Sequence, residues 1–274
     1  MHKYLWTSLK SRLQYISSSA GEPFNWLFLP GGPGLGSESL SGLTSQLRLP
    51  GTIWHLDLPG DGSNTTSNNA EYFSRWSDAL VEAVQSLDRV ILVAHSTGGM
   101  YALATARLEG LLNGLVLMDS APDSSWQQMF MDYVSEHPID RLKELEQQYI
   151  ACPNNDTLKK MVLASISYSF LTDGLNNDLS FLDDLPYNHE TCDWSAQNFD
   201  STYKYKWIPE KIPTLIFAGD KDRITPLTLF RDLNEFQHDN ILIKTISNSG
   251  HFPWIDNLDE VKSVFLEYCR MLHV

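Results

Sequence analysis

The chain has 274 residues, 42% of them hydrophobic and 20% charged, which suits a globular protein with one large α/β domain or two small ones. Its 20 Lys and Arg against 34 Asp and Glu leave a net charge of −14, which repels phosphate backbones and anionic membranes and so excludes nucleic acid as an expected partner. No apolar run reaches the roughly 18 residues that a membrane span needs, and the three cysteines are too few and too scattered for a disulfide framework or a zinc site.

In chain order, residues 3–17 alternate polar and apolar side chains, which predicts a small antiparallel hairpin at a sheet edge and offers no signal-peptide core. With the unpaired cysteines, this gives a cytoplasmic expectation. Short apolar runs then recur at 26–29, 52–56, 90–94, 115–118, 214–217 and 241–246. They are bounded by Gly, Pro or Asp and several are dominated by Val, Ile, Leu and Phe, as in strands buried on both faces. Residues 71–87 put Tyr72, Phe73, Trp76, Leu80, Ala83, Val84 and Leu87 on one helical face. Asn257 and Glu260 stand at capping-box spacing before the stripe Leu258, Val261, Val264, Phe265 and Tyr268, which predicts a closing helix. Strands alternating with helices imply a mostly parallel central sheet flanked by helices. The alternation stops between about 123 and 208, where helical patterns at 126–135, 139–150 and 157–170 carry no convincing central strand. The expected organisation is an α/β core made of 1–122 and 209–274, with 123–208 inserted as a helical cap. Oligomeric state is not legible.

The run Val90-Ile-Leu-Val-Ala-His-Ser-Thr-Gly-Gly99 carries the strongest chemical signal. A buried strand enters a small-x-Ser-x-Gly turn at 94–98 and leaves it as a helix. Ala94 and Gly98 permit the sharp turn, which lifts the Ser96 hydroxyl beside a helix N-terminus that favours developing negative charge. Near the other end of the chain, Phe217-Ala-Gly-Asp-Lys-Asp222 follows a strand and precedes Thr225-Pro226, and Ser249-Gly-His251 follows the last strand.

With these motifs the chain resembles the α/β-hydrolase superfamily from about residue 20 to its end, and the order Ser…Asp…His agrees. The resemblance implies an α/β-hydrolase fold with Ser96 as nucleophile, His251 as base and Asp222 as the acid that orients it. Asp119, at the end of the fourth run, is the alternative acid, at a position some members use. Leu29-Pro-Gly-Gly-Pro-Gly34 is similar to the family's His-Gly-x-Pro-Gly loop, which by position makes the backbone N–H groups of Gly32 and Thr97 the oxyanion hole. Pro30 stands where His is usual, so the loop must be anchored differently. Asp57-Leu-Pro-Gly-Asp-Gly-Ser63 resembles a site-shaping loop, with Asp61 in place of its His. His95 is expected to point away from the nucleophile and His55 to sit in the core.

These roles describe acyl transfer: Ser96 attacks a carbonyl, His251 takes its proton, the oxyanion meets two N–H groups and water resolves the acyl-enzyme. Neither cofactor nor metal is called for, and the partner is a small-molecule substrate, for which a small or medium carboxylic ester is the expectation. The Gly-Gly-Pro-Gly loop and helical cap are also similar to the prolyl aminopeptidase branch, but Thr97 replaces that branch's usual Trp. That branch also needs a cap carboxylate for the substrate's amine; Glu136, Asp140, Glu144, Glu146, Asp183 and Asp184 are the available acids. Trp126, Met129, Phe130, Tyr133, Met161, Tyr168 and Phe170 could instead line an apolar acyl pocket. Two readings of other classes compete. A dinucleotide site could use Gly32, Gly34, Gly36 and Asp57, but Pro33 interrupts the turn and Ser39 takes the third glycine's place. A non-enzymatic ligand-binding protein on the same fold would leave an intact Ser, His and Asp set unexplained.

Overall fold

A computed structural model of the protein describes residues 3–65, 70–171 and 179–272. Eight strands form one sheet: β1 (Tyr4–Trp6), β2 (Arg12–Ser19), β3 (Asn25–Leu29), β4 (Gly51–Asp57), β5 (Val90–His95), β6 (Gly114–Met118), β7 (Thr214–Gly219) and β8 (Ile241–Ile246). Their order is β1-β2-β4-β3-β5-β6-β7-β8; β1 and β2 are an antiparallel edge hairpin and the rest run parallel. All six apolar runs are strands. Five lie inside the sheet and the sixth, β8, forms its edge; in β5, β6 and β7 both faces are covered. Along β5, Val90, Leu92 and Ala94 pack into one core layer and Ile91 and Val93 into the other.

The closing helix, Leu258–Met271, buries Val261, Val264, Phe265 and Tyr268, and the Asn257 side chain caps it by accepting the Glu260 N–H. The expected helix over 71–87 is instead two pieces, Ala70–Phe73 and Trp76–Gln85. Phe73 and Trp76, on either side of the break, are both buried and meet edge to face, and the Trp76 indole N–H reaches the Pro59 carbonyl at 2.8 Å.

Between β6 and β7 the chain makes a helical excursion through Ser125–Glu136, Asp140–Ala151, Asn155–Ala164 and His189–Asn198. The pattern expected to run to residue 170 stops being α-helical at Ala164 and continues as the tighter turn Ile166–Tyr168; residues 172–178 lie outside the described structure. An antiparallel bridge between Asp123 and Lys204 brings the two ends of the excursion together. Among the described residues, no helix is long and apolar enough to cross a membrane.

Candidate active site

The sheet order creates the site. From β3 the chain steps outward to β4 and then returns to β5 on the other side of β3, so the loops after β3 and β5 part in opposite directions. A crevice opens at such a switch point, beyond the carboxyl ends of the strands. Register pairs Leu29 with Ala94 at those ends, so Pro30-Gly31-Gly32 and His95-Ser96-Thr97 leave the sheet side by side. They are close enough that a Cβ on Gly31 would lie 2.5 Å from the Ser96 Cβ. Ser96 itself sits at φ 50°, a conformation that few side chains adopt and that is held here from both neighbours: its N–H donates to the Met118 carbonyl and its carbonyl accepts the Ser120 hydroxyl. The helix Thr97–Ala104 starts at the next residue, and a side chain on Gly98 would strike the Pro30 carbonyl.

His251 and Asp222 come from the loops after β8 and β7. His251 Nε2 lies 3.0 Å from Ser96 Oγ, and His251 Nδ1 lies 3.0 Å from Asp222 Oδ2. Asp222 is buried, and burial alone would raise its pKa; His251 together with the Ile224 and Thr225 N–H groups outweighs that and lowers it below the ordinary value. The Thr225 hydroxyl donates to Oδ2 as well. An ionised carboxylate only accepts, so the His251 proton belongs on Nδ1 and the bare Nε2 lone pair faces the serine hydroxyl. Ser96, His251 and Asp222, the three residues singled out in the sequence, are thus brought into one hydrogen-bonded line.

The other acids and histidines divide by their partners. Asp119, the alternative acid, does not hydrogen-bond the imidazole; it lies behind Asp222, with Oδ1 accepting the Gly219 N–H. Asp119, Asp222 and His251 form the single grouping with metal-ligand spacing among the described residues. A cation on Nδ1 would displace its proton and break the Asp222 bond that orients the ring. His95, expected to point away from the nucleophile, packs its ring beside the base instead: its ring centre is 5.0 Å from that of His251, and its Nε2 lies 3.0 Å from the His251 carbonyl oxygen. Burial first and His251 second lower its pKa to about 3, so it is neutral and that contact is an N–H donated to the carbonyl, bracing the histidine loop. His55 is in the core, with Nε2 at 2.8 Å from the Thr44 hydroxyl and its pKa lowered to about 4 by burial. Asp57, the acid that a dinucleotide reading would need, is fully buried and committed to Arg12 at 2.8 Å and to the Ser37 N–H and hydroxyl.

A cavity of about 240 Å³ opens onto Ser96 and His251. Gly32 and Thr97 border it beside the serine, and as the first helical residue Thr97 has an N–H without an intrahelical acceptor. Trp126, Phe130, Tyr168 and Phe170 of the excursion line it, while Met129 and Tyr133 line a separate surface groove and Met161 packs against the core. Glu136, Asp140, Glu144, Glu146, Asp183 and Asp184 are all exposed, and none borders the cavity.

Two residues of the excursion, Ser169 and Asn188, escaped sequence reading. The Ser169 carbonyl accepts the His251 N–H at 2.9 Å, and Asn188 donates its N–H to the Gly34 carbonyl at 2.8 Å and its side-chain amide to Gly60 at 2.6 Å. Asn188 is an N-cap, accepting the Thr191 N–H, and that local role was its only legible signal.

The model of an alpha/beta hydrolase family matches residues 26–264, and the chain belongs to that family. Among solved structures, it is similar to a thermophilic esterase from Thermogutta terrifontis, with TM-score 0.72 and 17% identity over 100% of both chains. It is also similar to an esterase from Exiguobacterium antarcticum, at TM-score 0.72 and 17% identity over 98% of this chain and 100% of that one. A proline iminopeptidase from Mycobacterium smegmatis is nearly as similar, at TM-score 0.71 and 15% identity over 99% and 98% of the two chains. None of the curated proteins compared matches the sequence. At these identities the structural likeness speaks for the fold, and substrate preference must come from the site.

Proposed function

We propose that this alpha/beta hydrolase cleaves carboxylic esters whose acyl group is apolar and of small or medium size, through an acyl-enzyme on Ser96. His251 acts as base and then as acid, Asp222 holds its tautomer and stabilises the imidazolium, and the Gly32 and Thr97 N–H groups take the oxyanion. Residues 123–208 serve as a cap whose inner face shapes the acyl site; the Asp123–Lys204 bridge at their base supports that division. The three free cysteines fit a reducing cytoplasm.

The observation that carries the ester reading is the cavity lining. Among the described residues around it, none is an Asp, Glu, Lys or Arg, and side chains such as Leu35, Met100, Leu158, Val162, Ile166 and Phe252 face the space beyond Ser96. An ammonium group moved into that lining without a carboxylate partner would lose hydration with nothing in return. A hydrocarbon chain gains about 0.8 kcal/mol for each methylene it buries there. At about 30 Å³ for each water-sized group, the 240 Å³ cavity holds roughly eight non-hydrogen atoms.

The test compares p-nitrophenyl butyrate with a prolyl naphthylamide on one enzyme preparation, with Ser96→Ala as the blank for each. A higher kcat/KM on the ester is expected. A higher value on the prolyl amide would overturn the choice and point to the peptidase reading.

A further inference from the structure

Asp119 follows β6 directly, with its backbone in the left-handed region at φ 43°. Its side chain is fully buried: Oδ1 accepts the Gly219 N–H at 3.0 Å and, among the described residues, Oδ2 meets no donor. The ionisable groups that face it are Asp222 from the loop after β7, Asp256 from the turn after His251, and the His251 ring itself. One ligating atom from each of Asp119, Asp222 and His251 lies within 4.8 Å of the other two. Two carboxyl groups this close in a buried site do not both ionise. Asp222 keeps the charge, because it collects the imidazole, two backbone N–H groups and the Thr225 hydroxyl. Burial, and after it the Asp222 charge, push the Asp119 carboxyl well above the usual carboxylate range.

We propose that Asp119 is a neutral carboxylic acid whose O–H donates to the Asp222 carboxylate, a positioning residue that fixes the acid behind His251. The inference rests on the triad reading above. It pairs the one Asp119 oxygen left without a partner and gives Asp222 a further donor that holds its carboxylate plane toward Nδ1. It also keeps the buried acid pair at a single negative charge. A second charge there would hold His251 as imidazolium and withdraw it as a base at neutral pH.

Two variants and a spectrum test this. Asp119→Asn keeps an acceptor for Gly219 and a donor for Asp222, and asparagine tolerates the left-handed backbone. Asp119→Gly suits that backbone and removes both groups. On p-nitrophenyl butyrate the glycine variant should lose about tenfold or more in kcat, the scale of one charge-assisted hydrogen bond, with KM little changed because Asp119 does not line the cavity. The asparagine variant should recover most of that loss. The His251 ring, titrated by NMR, should move by less than about 0.3 unit in Asp119→Asn; removing a true carboxylate charge at this distance would lower it by about one unit or more. The infrared band of a buried neutral carboxylic acid should be present at pH 8 in the wild type and in Ser96→Ala, and absent from Asp119→Asn. A ring titration lowered by a unit, a missing band, or a glycine variant as fast as wild type would each overturn the proposal. If the glycine variant does not fold, the asparagine variant and the band decide. Titration and band need no substrate, so failure of the ester reading leaves this test intact.

Discussion

Asp61 should make the protein less stable as pH rises through neutrality, and Asp61→Asn should abolish that loss. The residue is 2% exposed and its Oδ1 accepts the Gly34 N–H at 2.7 Å. Burial, with Asp57 adding to it, raises its pKa from 3.8 to about 7, against the opposing N–H groups of Gly34 and Gly62. The folded protein therefore holds a proton that the unfolded chain releases from about pH 4 upward. Stability from this group is intact below the unfolded value, declines as pH rises, and is fully lost above the folded value near 7. A difference of about three units corresponds to about 4 kcal/mol, of which about 3 kcal/mol falls between pH 5 and 8. The asparagine variant would keep the Gly34 bond through its side-chain carbonyl and lose the Gly62 contact, a pH-independent cost of about 1–3 kcal/mol. Urea unfolding of both proteins at pH 5 and pH 8 reads the difference: the variant should gain about 3 kcal/mol on the wild type between the two, or roughly 6 to 12 °C in Tm. A stability difference that stays the same at both pH values would refute the reasoning and place the Asp61 titration outside this window.

Three further outcomes follow from the site. Ser96→Ala should lose about four orders of magnitude or more in kcat, because the three residues act as a unit, and should no longer be labelled by a fluorophosphonate; a tenth of wild-type turnover would contradict the mechanism. Asp222→Asn should cost about 10⁴-fold by freeing His251 to take the wrong tautomer, measured as kcat at pH 8. In a series of p-nitrophenyl esters from acetate to decanoate, kcat/KM should climb about fourfold per methylene until roughly eight acyl atoms fill the cavity and then fall, so a flat series would argue against an apolar acyl site.

How much the sequence could tell depended on how local each signal was. β3, β5, β6 and β7 were legible as unbroken apolar runs because helices cover both faces of the sheet. Ser96 was legible because a strand, a turn and a helix follow one another within a dozen residues, and His251 and Asp222 because each follows a strand in a recognisable loop. The break at residues 74 and 75 was not legible, since the apolar pattern that places Phe73 and Trp76 on one face continues through it. Nor was the position of Asp119, which as a sequence feature reads as a rival to Asp222. Only the fold puts the two side by side and gives just one of them the imidazole.

The largest gap concerns the two places where the chain departs from its family's loops, Pro30 and Asp61, and there the fold supplies the reason. A proline at 30 leaves the Gly31–Gly34 loop without a side-chain anchor at its start. Asp61 takes hold of its other end, accepting the Gly34 N–H, while Asn188 covers the opposite side of the same residue by donating to the Gly34 carbonyl. A Cβ on Gly34 would lie 2.5 Å from the Asn188 carbonyl oxygen, so the loop and the excursion are in backbone contact. Asn188 and Thr191 in turn fix Gly60, next to Asp61. On the histidine side, the Ser169 carbonyl accepts the His251 N–H. One helical insertion thus braces both sides of Ser96, the loop that carries Gly32 and the loop that carries His251. Displacing it would disturb Gly32, the proposed oxyanion donor, and His251, the proposed base, together, which would make it part of the site and not a cover laid over a finished one.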